Sequence, residues 1–189
     1  IAGLAGKDPV AFRLSMLDKT HPRHAAVLKL AAEKAGWGTP LPEGVARGVA
    51  VHESFKSFVA QVVEVRIVDG QAKVDRVVCA VDCGLAINPD NIVAQIEGGI
   101  GYGLGAVLHS QVTLTDGAVD QTNFNDYEVL RFNEMPKVEV HIVPSAAPPT
   151  GIGEPGTPPI GPAVANAVAA LTGQRFRQLP LSVHKLAAT

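Results

Sequence analysis

A single carboxylate lies within a segment that is dense in glycine and proline. Residues 151–162 read Gly-Ile-Gly-Glu-Pro-Gly-Thr-Pro-Pro-Ile-Gly-Pro, and Glu154 is the only ionisable side chain among them. Glycine permits backbone angles that other residues avoid, whereas proline fixes φ and removes an N–H donor, so this loop is predicted to be rigid. A lone carboxylate on a rigid support in largely apolar surroundings is suited to general-base catalysis. The alternative is a connecting loop whose glutamate faces water.

A second segment carries five glycines, at positions 98, 99, 101, 103 and 105, within eight residues. Asn88 before Pro89 predicts a helix start, and Ile92 and Ile96 continue with helical spacing, with Gln95 on a neighbouring face. Each glycine in a helix interior costs about 1 kcal/mol relative to alanine. That cost indicates a close approach to the backbone, either by a packed sheet or by a cofactor. The dinucleotide spacing G-x-G-x-x-G does not occur here.

Two further clusters contain side chains that could do chemistry. Residues 52–57 include a histidine, a glutamate and two serines, as a hydrolase would need, but neighbours in sequence seldom adopt triad geometry. His21, Arg23 and His24 could form a metal or anion site, although histidines at a helix start are commonly exposed polar residues.

The elements that must position these residues predict an α+β fold. Two N-terminal helices are expected, one after Asp8 and one from Pro22 to about Ala35. After a proline-containing link, Asp69-Gly70 is a strong hairpin signal within a predicted antiparallel sheet. The β-branched segments that predict its strands are 45–51, 58–68 and 74–81.

The C-terminal half is expected to end in a helix from Pro162 to Thr172, with Gly173 as its left-handed cap. Before it we predict a strand over 137–142 and a turn at Asp116-Gly117 between segments 107–114 and 118–124. The predicted architecture is a pair of N-terminal helices, an antiparallel or mixed sheet with the glycine-rich helix packed on it, and a closing loop and helix. We divide the chain into a helical segment at 1–38 and a lobe at 39–189.

Length and composition set the outer bounds. With 189 residues and 47% hydrophobic content, the chain can bury the core of one domain or of two small lobes. A net charge of −2 predicts no nucleic-acid partner, and no apolar run reaches the ~20 residues that span a bilayer. Because residue 1 is not methionine and no signal-peptide pattern follows, we expect a soluble part of a longer chain, cytoplasmic or periplasmic.

The loop and the glycine-rich segment together resemble one enzyme family. The run 153–160 followed by 162–168 is similar to the C-terminal active-site segment of the molybdenum hydroxylases of the xanthine dehydrogenase/aldehyde oxidase family. The likeness is greatest to the molybdopterin-binding large subunit of the isoquinoline 1-oxidoreductase type. The resemblance implies that Glu154 is the catalytic base beside the molybdenum. It also implies that Gln95, Gly98 and Gly99 contact the pterin, in a lobe that binds molybdopterin and supplies no metal ligand.

The same resemblance implies a reaction and a set of partners. The substrate would be a small N-heteroaromatic compound or aldehyde, hydroxylated with water as the oxygen donor, and molybdopterin would be present in a dinucleotide form. Cys79 and Cys83 cannot hold an iron–sulfur cluster, so clusters would lie on a small partner subunit. The remainder of the large subunit would complete the site, and the isolated fragment would be inactive. Two alternatives stay open: a cofactor-free assembly or interaction module, and an unrelated α+β hydrolase.

Overall fold

The computed structural model describes residues 1–17 and 19–187. Its helices are α1 Pro9–Leu17, α2 Pro22–Lys34, α3 Pro89–Leu108 and α4 Ile160–Thr172. Its strands are β1 Val45–Ser54, β2 Ser57–Val68, β3 Gln71–Asp82, β4 Leu114–Thr115, β5 Ala118–Val119 and β6 Lys137–Ile142. Short 3-10 helices cover Phe132–Glu134 and Leu181–Val183. None of the helices in the described ranges is long and apolar enough to cross a membrane.

The main sheet has the strand order β1-β2-β3-β6. The first three strands form an antiparallel meander, whereas β6 pairs with β3 in parallel. Asp69 and Gly70 connect β2 to β3 with φ angles of 53° and 78°, as a tight hairpin turn requires. The predicted α+β fold is therefore confirmed, and the sheet is mixed.

The two faces of the sheet are covered by different helices. One face packs against α1 and α2 in a hydrophobic cluster that includes Val27, Leu28 and Val62. The opposite face packs against α3 and α4 in a larger cluster that includes Ile96, Leu104 and Val164. The glycine-rich helix α3 thus packs on the sheet as predicted.

Helix α4 lies unusually close to the edge strand β1. A Cβ atom added to Gly48 would collide with the carbonyl oxygen of Ala163 and with the backbone nitrogen of Ala167. Asn166 Nδ2 donates a hydrogen bond to the Val49 carbonyl at 3.1 Å. Ala163 lies near the start of α4, so its contact with Gly48 holds the beginning of that helix against the sheet.

The predicted helix ends are confirmed with one correction. Asp8 Oδ1 accepts hydrogen bonds from the first turn of α1, and Asn88 Oδ1 accepts one from Asn91 N at 3.1 Å. Gly173 ends α4 in the left-handed conformation, with φ 68°. However, α4 starts at Ile160 rather than Pro162. The N–H groups in the first turn of a helix have no carbonyl acceptor within that helix. A proline, which lacks an N–H group, is therefore tolerated at the third helical position.

The turn at Asp116-Gly117 is present, but the flanking segments form only the two-residue strands β4 and β5. Val107 and Leu108, which the sequence placed in the segment before this turn, belong instead to α3. Both side chains are buried in the cluster on the α3 face of the sheet. Burial of these two side chains stabilises the helical conformation of this segment relative to an extended strand.

An ion-pair network lies on the face of the sheet that carries α2. Arg76 donates two hydrogen bonds to the Glu139 carboxylate, at 3.0 and 3.1 Å, and a third to Glu64 Oε1 at 3.2 Å. Glu64 also accepts from Arg47 Nη2 at 2.8 Å. The hydrogen bonds from Arg76, and then from Lys137, lower the pKa of Glu139 to about 2. Charges on this face are therefore paired rather than simply solvated.

Candidate active site

A cavity of about 640 Å³ lies where α3, the β1–β2 hairpin and the glycine/proline loop meet. It brings Glu154 together with Gln95, Gly98 and Gly99, although Glu154 is more than fifty residues from these three in the chain. The lining residues are Ser54, Phe55, Gln95, Gly98, Gly99, Tyr102, Gly153, Glu154, Thr157 and Pro158. A second cavity, of about 650 Å³, lies along α3 and shares Gly98 and Tyr102 with the first.

Glu154 lines this cavity from the middle of the loop and is exposed. The prediction of largely apolar surroundings is therefore wrong for the described part of the chain. The loop contributes the apolar ring of Pro158, and the hairpin contributes Phe55, but neither covers the carboxylate. A base at this position can reach a ligand in the cavity, and only a ligand or another segment would shield it from water.

Three side chains other than Glu154 anchor the loop through hydrogen bonds. Gln61 Nε2 donates a hydrogen bond to the Gly156 carbonyl at 2.8 Å. Ser57 Oγ donates to the Gly151 carbonyl at 2.6 Å and lies 2.7 Å from Thr150 Oγ1. On the α3 side, Thr157 Oγ1 donates to the Gly99 carbonyl at 3.1 Å.

Gln61 was not predicted as a functional residue, and Ser57 was predicted only as a member of the candidate hydrolase cluster at 52–57. Gln61 is a polar residue within the buried run 59–63 of β2, and it points to the same side of the sheet as Val59 and Val63. A buried amide within a run of β-branched residues is the signal that could have identified it, because such a group needs a hydrogen-bond partner.

The glycines of α3 divide into two groups. A Cβ on Gly103 would come within 2.6 Å of the Ile160 side chain, and one on Gly99 within 3.1 Å of Thr157 Oγ1. These two glycines, one helical turn apart, let the loop and the start of α4 pack against α3. At Gly98 the same added atom would meet nothing within 4 Å. Gly98 thus leaves a bare stretch of helix backbone open to the cavity.

Gln95 lies one helical turn before Gly99 and is exposed at the rim of the cavity. Its Nε2 atom is 3.8 Å from a Cβ built on Gly153, so helix and loop approach each other here. Within residues 1–17 and 19–187 its side-chain amide makes no hydrogen bond. Both the donor and the acceptor of Gln95 are therefore available to a ligand.

Residues 52–57 do not form a catalytic triad. Ser57 is fully buried, and its hydroxyl is occupied by Gly151 and Thr150. Among the described residues no hydrogen bond joins His52 to either serine, and Glu53 instead lies 3.4 Å from His24. The Ser54 hydroxyl is buried without a hydrogen-bond partner in the described chain.

The other candidate clusters do not form a metal site. His24 stacks edge-on against His21 and Phe58, and burial lowers its pKa against the opposing effect of Glu53. The described ranges contain no group of three or more histidine, cysteine, aspartate or glutamate residues that could hold a metal ion. Cys79 and Cys83 are free and buried, and burial raises the pKa of Cys79 to about 12. A thiol with this pKa stays protonated and is not a ready metal ligand.

Comparison with known proteins identifies the family. A family model described as "Molybdopterin cofactor-binding domain" matches residues 24–136. The chain belongs to this family, within the xanthine dehydrogenase/aldehyde oxidase group of molybdenum enzymes. The matched range contains Gln95, Gly98 and Gly99, whereas Glu154 lies beyond it.

Two curated relatives cover almost the whole chain. Isoquinoline 1-oxidoreductase subunit beta of Brevundimonas diminuta is 39% identical over 186 residues, covering 96% of this chain and 24% of the relative. A membrane-bound aldehyde dehydrogenase of Gluconacetobacter polyoxogenes, named for pyrroloquinoline quinone, is 34% identical over 196 residues, covering 93% of this chain and 25% of the relative. The chain thus spans about a quarter of the length of these relatives.

The fold is also similar to solved structures. Quinoline 2-oxidoreductase from Pseudomonas putida 86 superposes with a TM-score of 0.59 at 25% identity. The superposition covers 66% of this chain and 17% of that structure's chain.

Proposed function

We propose that this chain forms part of the active site of a molybdopterin-dependent hydroxylase that oxidises a small N-heteroaromatic compound or an aldehyde. The observation that carries the proposal is the 640 Å³ cavity in which Glu154 lies with Gln95, Gly98 and Gly99. The substrate classes are those in the names of similar proteins, which refer to isoquinoline, quinoline and aldehyde. Molybdopterin is proposed rather than pyrroloquinoline quinone because the matched domain is a molybdopterin-binding one.

The residues at the cavity fit a pterin ligand. Gly98 leaves the α3 backbone open, so a flat ring system could approach it without meeting a side chain. Gln95 carries an exposed amide that can both donate and accept, as the edge of a pterin requires. Gly99 would hold the loop against the helix beside the ligand. When bound, the pterin dithiolene would hold the molybdenum and the pair would supply the redox chemistry.

Glu154 would act as the general base. It would accept the proton of the water molecule that supplies the oxygen atom, while the rigid loop keeps the carboxylate at a constant position relative to α3. Since Glu154 is exposed in this chain, the bound substrate or another segment of the subunit would have to exclude bulk water. Phe55 and Pro158, which line the same cavity, would contribute an apolar wall for an aromatic or aldehyde substrate.

The proposal includes partners. The remainder of the large subunit would complete the pterin site, and a small subunit would carry the iron–sulfur clusters that remove the electrons. Cys79 and Cys83 are buried and cannot serve as cluster ligands in this lobe. We further propose a dinucleotide form of the pterin and a boundary at residues 38/39 between the helical segment and the molybdopterin-binding lobe.

Glu154→Gln in the complete enzyme tests this function. The amide keeps the volume of the carboxylate but cannot accept the proton, so kcat should fall by about 10²–10⁴-fold. Molybdenum content and thermal stability should stay at the wild-type level. Glu97→Gln is the matched control, because Glu97 is also exposed and lines only the second cavity along α3.

Two outcomes would contradict the assignment. A fully loaded Glu154→Gln enzyme that keeps more than about a tenth of wild-type kcat would exclude a general base at this position. An assembled complex of the wild-type protein that contains no molybdenum would instead favour a cofactor-free interaction module.

A further inference from the structure

Gln61 is a buried amide directly beneath the loop that carries Glu154. It lies on β2 with no exposed surface, surrounded by the apolar cluster between the sheet and helices α3 and α4. Its Nε2 atom donates the 2.8 Å hydrogen bond to the carbonyl of Gly156, two residues after Glu154. The bond therefore connects the centre of the sheet with the turn that presents the carboxylate.

The turn around Gly156 has little freedom to move. A Cβ on Gly156 would lie 2.9 Å from the Ile96 carbonyl oxygen, so α3 is in close contact with the loop on that side. Thr157 N donates a hydrogen bond to the Glu154 carbonyl at 2.9 Å, which closes the turn on itself. The Gln61 amide holds the turn from the sheet, opposite the contact with Ile96. Its removal would leave the Gly156 carbonyl without this donor.

Packing alone does not explain a glutamine at this position. The Gln61 Oε1 atom is buried and has no hydrogen-bond partner among the described residues. Across the strand its register partner is Cys79, a buried thiol whose pKa is raised by burial and lowered in part by a hydrogen bond with the Gln61 side chain. An apolar side chain of similar volume would fill the same space without burying an unpaired oxygen. Burial of this amide therefore carries a cost, which its hydrogen bond to Gly156 and its contact with Cys79 offset.

We infer that Gln61 is a positioning residue for Glu154. This inference rests on the proposed role of Glu154 as the base. Gln61 does not line the cavity that contains Glu154, so it would act only through the loop. A carboxylate that accepts a proton must stay within hydrogen-bond distance of it, and a displacement of about 1 Å can cost about 100-fold in rate.

The test compares Gln61→Met with Gln61→Met/Glu154→Gln in the complete enzyme. Methionine keeps the length of the side chain but removes both the donor and the unpaired oxygen. We expect Gln61→Met to lower kcat by about 10- to 100-fold with little change in KM and unchanged molybdenum content. In the Glu154→Gln background the same change should have no further effect, since the base through which Gln61 acts is already absent.

Asn166→Leu is the matched control. Asn166 also donates from a side-chain amide to a backbone carbonyl, that of Val49, but it lies on α4 away from the Glu154 loop. Its substitution should leave kcat within about twofold of wild type. Hydrogen exchange of segment 151–157 gives a readout that is independent of activity, and it should accelerate in Gln61→Met and not in Asn166→Leu.

Several results would overturn the inference. Equal losses of kcat from Gln61→Met in both backgrounds would show that Gln61 does not act through Glu154. Unchanged hydrogen exchange of the loop would show that the Gly156 bond does not position it. If Glu154→Gln alone keeps its activity, the proposed function fails, whereas the exchange measurement still decides whether Gln61 holds the loop.

Discussion

The hydroxyl of Thr157 donates a hydrogen bond to the carbonyl oxygen of Gly99, with a distance of 3.1 Å between the two oxygens. This bond ties the loop that carries Glu154 to α3 at the position where a side chain on Gly99 would be most crowded. Gly98, its neighbour in the chain, faces open space. The two adjacent glycines therefore differ in what they contact, and this difference can be tested.

Substitution by valine should separate their roles. Gly99→Val places a branched side chain against Thr157, and the resulting overpacking should lower the free energy of unfolding by roughly 1–3 kcal/mol. At Gly98 an added Cβ has no protein atom within 4 Å, so for Gly98→Val stability should change by less than about 1 kcal/mol, whereas molybdenum content of the complete enzyme should fall more than about tenfold. Chemical denaturation and metal analysis measure the two quantities. Normal molybdenum content in Gly98→Val would exclude a cofactor contact there.

Gln95→Ala should weaken cofactor binding more gently. The substitution removes one or two hydrogen bonds worth ~1 kcal/mol each, so molybdopterin affinity should fall by about 5- to 30-fold. Stability should not change, since the amide makes no hydrogen bond within the described residues. Gln71→Ala, at an exposed position at the start of β3, is the control. Equal pterin retention by both variants would remove Gln95 from the cofactor site.

Glu139 should make stability depend on pH in the acidic range. Hydrogen bonds from Arg76 and Lys137 lower the pKa of Glu139 from 4.5 to about 2, so the folded state favours the ionised form. Its stabilising contribution is fully present above about pH 4.5 and is lost as the pH falls towards 2. Wild type should thus be more stable than Glu139→Gln at pH 6, and this difference should shrink at pH 3. A difference that is the same at both pH values, measured by denaturant unfolding, would contradict this assignment.

Local chemistry made several features predictable from the sequence. Asp8 and Asn88 accept hydrogen bonds from free N–H groups at helix starts, and Gly173 adopts the left-handed conformation that ends a helix. Asp69-Gly70 is one of the few pairs that adopt positive φ at both positions of a tight turn. These effects act over two to four residues, so sequence is sufficient. The resemblance of the Glu154 loop and the Gln95 segment to one family likewise depended only on residue order.

Other features depended on contacts between distant parts of the chain. The parallel pairing of β6 with β3, the length of α3 and the exposure of Glu154 follow from how the layers pack, which no local pattern encodes. The different surroundings of Gly98 and Gly99 arise because only one of them faces Thr157. Gln61 and Gly156 are 95 residues apart, and only folding makes one the hydrogen-bond partner of the other. Sequence therefore determined which residue types were available, and tertiary packing decided which of them meet, because burial and hydrogen bonding depend on neighbours in space.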